Sequence, residues 1–340
     1  MKYNLFGNTG LLVSEQCFGT MTFGGEGYWK AIGELQQDDA TALVKGAVDA
    51  GINFIDTANV YSYGESERLL GNAIKFLGIN RQDIVIATKV RGKMGEGHNN
   101  VGLSRYHILA SIDESLSRLQ LDHVDILYVH GVDPLTPLEQ TMRALNDAVA
   151  AGKVRYIAVC NWPAWMVMKA QGIANEHGWH KFEGLQYFYS IVGRDAEREV
   201  IPMAIDQKLA VMPWSPLAGG FMSGKYTRHN EKARGRRDVF DFPPVNKEKA
   251  YNIIDVLEEV GRAHNVSVAE IALAWVRLQH GITSTIIGAK NIQQLNDNIH
   301  STEIVLTEDE RKRLDDISAL GKEYPGWMVE RQAADRPLRP

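Results

Sequence analysis

Short apolar runs bounded by Gly, Asn and Asp alternate along this chain with longer stretches whose apolar side chains recur every three or four residues. These are the patterns of buried strands and of amphipathic helices. The runs that predict strands lie at 16–20, 53–56, 84–89, 124–130, 154–160, 183–187, 210–213 and 284–287. Ahead of them the chain reads as a β-hairpin turning at Asn8-Thr9-Gly10. Between the strands, Thr136-Pro137-Leu138-Glu139 predicts a capping box with proline at the first helical position. That helix would bury Leu138, Met142, Leu145 and Val149 and end at Gly152. Ser267-Val268-Ala269-Glu270 and Thr307-Glu308-Asp309-Glu310 repeat the start signal.

Alternating strands and helices imply an α/β fold, and eight such units close most simply as a (β/α)8 TIM barrel, here with an N-terminal hairpin and loop and helix insertions. The longest insertion runs from 219 to about 244 and carries a basic stretch from Arg228 to Arg237. An open doubly wound sheet would use the same alternation but announce its phosphate turn with G-x-G-x-x-G, which the chain lacks. No Pro/Gly/Ser linker or low-complexity tract divides it, so one domain is expected over 1–340, with the barrel proper at 15–300 and a C-terminal helix and tail at 301–340.

Composition narrows the function classes. Hydrophobic residues make up 44% of the 340 and charged ones 23%, ordinary values for a folded soluble chain. A net charge of −5 gives no general attraction to nucleic acid or to an anionic membrane, so a small-molecule substrate is expected and oligomeric state is left open. Cys17 and Cys160 do not read as a disulfide framework, which suits a reducing cytoplasm. The opening MKYNLFGNTGLLVS lacks an export signal's apolar core, and no run of eighteen apolar residues predicts a membrane span.

In a parallel barrel the loops after the strands build the active face, so polar residues that end apolar strands are the place to seek chemistry. Asn53-Phe54-Ile55-Asp56 ends in a carboxylate, Ile84-Val85-Ile86-Ala87-Thr88-Lys89 in an amine, and Ile126-Leu127-Tyr128-Val129-His130 in an imidazole. Each has a plain structural counterpart: an aspartate capping the next helix, a lysine neutralised by a structural anion, a hydrogen-bonded core histidine. Together, at the ends of neighbouring strands, they point into one cleft, and Tyr61 follows Asp56 by five residues.

Asp56-Thr57-Ala58 with Tyr61 and Gly64-Glu65-Ser66-Glu67, then Ala87-Thr88-Lys89, then Tyr128-Val129-His130, resemble the aldo-keto reductase superfamily. Phe18-Gly19-Thr20, Gly152 to Ile157 leading to Asn161-Trp162, Gln186, Trp214-Ser215-Pro216-Leu217 and Gly288 with Gln294 and Asn298 extend the likeness over almost the whole chain. The long loops are closer to general bacterial and channel-β-subunit-like members than to short aldose reductases. The resemblance implies an NADP(H)-dependent oxidoreductase interconverting a carbonyl and its alcohol, with Asp56, Tyr61, Lys89 and His130 as catalytic tetrad and no metal. The neighbouring Lys89 is expected to lower the Tyr61 pKa, and Asp56 to keep Lys89 charged.

By the same resemblance Gly19, Thr20, Met21 and Asp56 line the cofactor site at the first two strand ends. Cys160, Asn161 and Gln186 face the nicotinamide carboxamide and Trp214 its ring, while Ser215, Pro216, Leu217, Gly220, Lys225, Arg236 and Arg237 follow the pyrophosphate. Gly288, Ala289, Lys290, Gln294 and Asn298 take the adenosine end. Read without it, Gln186 and Trp214 are packing residues and the basic insertion a solvated loop. Cysteine at 160 stands where serine is common, and glutamine at 294 where arginine is frequent. Lys290 then carries more of the preference for NADP(H), and NAD(H) stays open. Gly131 stands where relatives place a larger residue, which widens the carbonyl subsite, and Trp29, Tyr63 and Trp162 are candidate substrate walls. Two rivals are kept: a slow, regulatory cofactor-binding subunit like potassium-channel β subunits, and a barrel aldolase with a Schiff-base lysine. The second conflicts with a lysine held charged by Asp56.

Overall fold

The computed structural model describes residues 1–228, 230 and 236–335. A hairpin of β1 (Tyr3–Leu5) and β2 (Leu12–Ser14) comes first. Eight parallel strands follow: β3 (Gln16–Gly19), β4 (Phe54–Asp56), β5 (Val85–Val90), β6 (Val124–Val129), β7 (Val154–Cys160), β8 (Phe182–Phe188), β9 (Ala210–Trp214) and β10 (Thr285–Ile287). They pair in chain order, and β10 returns to β3. The β9–β10 seam closes through Thr283, whose N–H donates to Val211 O at 2.9 Å while its Oγ1 accepts from Val211 N at 3.0 Å. The result is the expected (β/α)8 barrel, with every strand within two residues of its predicted bounds.

The strands are buried on both faces, and alternation assigns each residue to one of two cores. Cys17, Phe54, Val85, Ala87, Ile126, Tyr128, Ala158, Cys160 and Met212 fill the interior. Ile55, Ile86, Leu127, Val129 and Val159 face the helices instead. The hairpin stoppers the interior at its N-terminal end with Phe6, whose ring meets Phe54 edge-on at 6.2 Å. Gly184 makes room for it, since a Cβ there would lie 2.6 Å from Phe6 Cζ.

Twelve helices lie among the described residues: α1 (Gln37–Asp49), α2 (Glu65–Leu77), α3 (Arg105–Leu119), α4 (Leu138–Ala150), α5 (Ala164–His177), α6 (Val200–Asp206), α7 (Arg236–Val239), α8 (Lys247–His264), α9 (Val268–Arg277), α10 (Ile292–His300), α11 (Glu308–Ser318) and α12 (Gly326–Ala333). Capping boxes form at Ser267 and Thr307. The box expected at Thr136 does not: its hydroxyl donates to Asp133 Oδ2 at 2.7 Å, and Pro137 is the N-cap rather than the first helical residue. The stripe of α4 holds, with Met142 and Leu145 fully buried. The insertion after β9 carries α7 and α8 and builds its own core with α9 and α11, around Phe221, Tyr251, Ile254, Leu257 and Trp275. That core fixes the loop on which Trp214, Ser215 and Gly220 sit.

Candidate active site

Asp56 and Lys89 occupy inward positions at the C-terminal ends of β4 and β5, and His130 follows the last residue of β6. Lys89 is fully buried and Asp56 is 2% exposed, yet the ammonium has three oxygen partners. It donates to Asp56 Oδ1 at 2.5 Å, Thr57 O at 2.9 Å and Tyr61 Oη at 3.1 Å. Those bonds match its three donors, which is what makes a buried cation tolerable. The other carboxylate oxygen, Asp56 Oδ2, accepts from Gln186 Nε2 at 2.9 Å. The His130 and Tyr61 rings sit edge to face at 5.9 Å, and the Trp29 ring also meets Tyr61 edge to face, at 5.3 Å.

Tyr61 is held by a strained loop. Ser62 and Tyr63 both adopt left-handed backbone, at φ 45° and 54°, before Gly64 at 98°. Such residues cost about 1–2 kcal/mol each and persist only where the surroundings impose them. Here Ser62 Oγ donates to Phe23 O at 3.0 Å and accepts from Gly25 N at 2.8 Å, pinning the loop to the segment after β3. Gly64 lies against Arg118, whose Cδ would be 2.6 Å from a Cβ. Arg118 Nε bonds the fully buried Glu67 at 2.7 Å, and the second oxygen of Glu67 accepts from Thr88 Oγ1 at 2.5 Å. One carboxylate thus ties the Tyr61 loop to the residue beside Lys89. Glu67 belongs to the quoted Gly64–Glu67 motif but received no role from sequence. The usable signal was a carboxylate in the first turn of α2 on its buried face.

The electrostatics correct one expectation. Burial raises the Tyr61 pKa and the Lys89 charge only partly opposes it, so the residue is a neutral phenol rather than an acidified one. Burial works against the Lys89 ammonium, but Asp56, then Tyr61, outweigh it and its pKa rises. Burial also raises the Asp56 pKa, with the Lys89 charge and the bonds from Lys89 and Gln186 opposing it. Burial, then the Lys89 and Arg91 charges, hold His130 neutral, well below the usual imidazole range. Burial likewise pushes the Cys160 thiol up, out of thiolate range.

Around this centre lie the remaining expected residues. Gly19 is paired with Asp56, and the buried Thr20 hydroxyl reaches Ser66 Oγ at 2.8 Å; Met21 is half-buried. Cys160 is buried beside Gln186 across β7 and β8. Asn161, left-handed at φ 58°, accepts from Trp214 Nε1 at 2.9 Å and so fixes the indole. Phe242, from the insertion, stacks on Trp214 at 5.7 Å and 11°, and Phe188 meets it at 5.2 Å. Ser215 is also left-handed, its Oγ accepting from Gly219 N at 2.8 Å; Pro216 is buried and Leu217 half-buried. Gly220, at φ 89°, has no atom within 4 Å of a Cβ, and Lys225 is exposed. After β10, Gly288 is exposed and Ala289 buried. Lys290 N donates to Gln294 Oε1 at 2.9 Å, and Asn298 Nδ2 to Gly288 O at 3.1 Å. Tyr63 is exposed beside Gly27 and Gly131 half-buried.

Two expected residues are elsewhere. Trp162 is 2% exposed and packs edge-on against Phe182 in the helix-facing core, so it is not a substrate wall. Arg237 is buried: it donates to Ala218 O at 2.7 Å, to Pro243 O at 2.9 Å and to Asp241, stapling the insertion instead of clasping a phosphate. The Arg236 side chain lies outside the described residues, as do 229 and 231–235 of the basic stretch. The aromatic bridge Tyr28–Phe240–Phe242, which links the loop after β3 to Trp214, was not anticipated. The Asp241-Phe242-Pro243-Pro244 turn was its only trace in sequence. No described helix is long and apolar enough to cross a membrane.

Comparison with known proteins agrees with the geometry. The Aldo/keto reductase family model matches residues 16–319. A versiconal hemiacetal acetate reductase of Aspergillus parasiticus is 34% identical, over 96% of this chain and 99% of its own. An uncharacterized oxidoreductase of Bacillus subtilis is 37% identical over 93% and 96%. A probable voltage-gated potassium channel subunit beta of Oryza sativa subsp. japonica is 32% identical over 90% and 92%. With a family match over nearly its whole length and relatives that it covers almost end to end, the chain belongs to the aldo/keto reductase family.

Proposed function

We propose that the protein interconverts an aldehyde or ketone and its alcohol with NADP(H), Tyr61 acting as general acid in reduction and general base in oxidation. The observation that carries this is the Lys89 ammonium bonded at once to Asp56 and to the Tyr61 hydroxyl. A reduced nicotinamide, when bound, supplies hydride to the carbonyl carbon. The residues present fit such a cofactor. Trp214 offers a flat wall locked by Asn161, at which Phe242 now supplies a parallel ring. Gly220 lets backbone approach a phosphate closely, and Gly288 to Lys290 lead into the N-terminus of α10, where amides favour an anion.

The chain's own part follows from its charges. The neutral Tyr61 phenol gives its proton to the carbonyl oxygen, a step worth roughly 10²- to 10⁴-fold. Lys89 then stabilises the phenolate left behind, and Asp56, held by Gln186, keeps Lys89 charged and aimed. His130, kept neutral, orients the carbonyl oxygen. Lys290 is the residue we assign to the ribose phosphate that separates NADP(H) from NAD(H). We read 15–300 as one catalytic barrel with 301–340 as its tail, and the two buried thiols as suited to the cytoplasm.

Tyr61→Phe tests the reading: carbonyl reduction should fall by at least about 10²-fold while NADPH binding, followed by fluorescence titration, is kept. Undiminished turnover would remove Tyr61 from the chemistry. The rice relative, named as a channel subunit, favours one second reading, a slow cofactor-binding subunit. Turnover far below about 1 s⁻¹ across a broad aldehyde panel would select it.

A further inference from the structure

Arg91 is the first residue beyond β5, two positions after Lys89, and it leaves the strand at φ 135°, a backbone conformation that L side chains rarely adopt. The turn is fixed on both sides: Gly102 N donates to Arg91 O at 3.0 Å, and His130 N donates to Val90 O at 2.9 Å. Because Val90 and Val129 are register partners, Arg91 lies beside His130 and Gly131 on the face that carries the catalytic groups.

Gly131 leaves that space to the arginine. A Cβ at 131 would have a single neighbour within 4 Å, Arg91 Nε at 3.9 Å. The same Nε donates to Val132 O at 3.2 Å, which orients the guanidinium and leaves its two terminal nitrogens available. Among the described residues no carboxylate pairs with them. Asp133, whose carboxyl feels the Arg91 charge, makes no ion pair with it; its oxygens accept from Leu103 N at 2.7 Å, Leu135 N at 3.0 Å and Thr136 Oγ1 at 2.7 Å. Lys89 is already neutralised by Asp56, whereas Arg91 makes no ion pair among the described residues and its charge is only partly offset, through space, by Asp133. Its charge is felt by the His130 imidazole. An oriented, exposed guanidinium fork beside the carbonyl subsite is suited to bidentate binding of a planar or tetrahedral oxyanion.

We propose that Arg91 is a specificity-determining residue that anchors an anionic group, carboxylate or phosphate, on the carbonyl substrate, an inference that rests on the carbonyl-reductase reading above. The substrate class is then an aldehyde or ketone carrying one oxyanion a few bonds from the reacting carbon.

The test compares kcat/KM for matched pairs with NADPH: 4-carboxybenzaldehyde against benzaldehyde, and glyceraldehyde 3-phosphate against glyceraldehyde. The wild-type protein should prefer the charged member of at least one pair, and which pair identifies carboxylate or phosphate. Raising ionic strength should erode that preference, a measurement that needs no variant. Arg91→Met should cut the charged-to-neutral ratio about tenfold or more, Arg91→Lys should keep part of it, and Arg91→Glu should invert it. Turnover without any preference for the charged member, or a ratio unchanged in Arg91→Met, overturns the anchor and leaves the reductase reading standing. Failure of the wild-type protein to turn over any aldehyde or ketone overturns both.

Discussion

Replacing Lys89 by methionine keeps the volume of the side chain and removes its charge, leaving the Asp56 carboxylate buried with Gln186 as its one remaining side-chain donor. Removing one partner of a buried ion pair costs about 3–5 kcal/mol, because the survivor is left uncompensated. With an unfolding entropy of about 2.1 cal/mol/K per residue, 340 residues give roughly 0.7 kcal/mol/K, so the melting temperature should fall by about 4–7 °C. The sign with pH is informative. Burial already raises the Asp56 pKa, and losing Lys89 removes the main opposing effect. A carboxyl whose folded pKa lies above its unfolded value stabilises the protein at low pH and loses that contribution as pH rises through the folded value. The deficit of Lys89→Met should therefore grow from pH 5 to pH 8. Asp56→Asn leaves a buried ammonium instead, whose folded pKa falls, so its deficit should shrink toward pH 9 and above.

The double variant Lys89→Met/Asp56→Asn contains neither charge and should recover to within about 1–2 kcal/mol of the wild-type protein while remaining inactive. Thermal unfolding of the four proteins by circular dichroism across this pH range, with aldehyde reduction measured alongside, supplies the cycle. If the double variant loses the sum of the two single losses, or if the single variants share one pH slope, the two side chains are not the coupled pair described here.

Lys290→Ala should weaken NADPH binding more than NADH binding, by about tenfold or more in the ratio of dissociation constants from fluorescence titration; equal losses would place the ribose phosphate elsewhere. Glu67→Gln keeps the shape of the link between Arg118 and Thr88 but removes its charge. It should cost about 3 kcal/mol in denaturant unfolding and lower kcat more than it raises KM, because the Tyr61–Lys89 spacing loosens; an unchanged kcat would reduce Glu67 to a purely structural role. His130 has a depressed folded pKa, so its contribution is full above pH 6.5 and is lost as pH falls below it; His130→Asn should flatten the acid limb of stability between pH 6.5 and 5, visible in melting temperatures.

The barrel was legible because most strand residues are covered on both faces, so each strand appears as a predominantly apolar run, as in 84–87 and 126–129. Capping was legible where side chain and backbone had no competitor, at Ser267 and Thr307. It failed at Thr136 because the helix starts one residue later, with Pro137 as N-cap, which puts the Thr136 hydroxyl outside the first turn, where it donates to Asp133. The choice between the two faces of a strand-end aromatic was not legible at all. Trp162 follows Asn161, whose left-handed backbone reverses the local alternation and sends the indole toward Phe182 and the helices. The fate of Arg237 depended on carbonyls of Ala218 and Pro243, contacts between loops that no pattern along the chain encodes.

Within the site, position was easier to read than electrostatics. Asp56, Lys89 and His130 announce themselves as polar ends of apolar strands, so their convergence follows from the fold. The sign of the Tyr61 shift does not, since it depends on which of two effects is larger. A cation 3.1 Å from the hydroxyl favours the phenolate, but that cation is already paired to Asp56 at 2.5 Å, and the Asp56 charge itself disfavours the phenolate. What Tyr61 feels is the difference between the two, set against complete desolvation, and desolvation wins. This changes what Lys89 is for. A lysine that acidified the resting phenol would leave a population of phenolate unable to give a proton. In the proposed reaction, a lysine that leaves the phenol neutral, yet stays charged beside it, would act when the proton has moved to the substrate oxygen and negative charge has appeared on Tyr61. Its stabilisation then falls on the state that follows proton transfer more than on the resting enzyme, which is the condition for it to raise the rate rather than tighten the ground state.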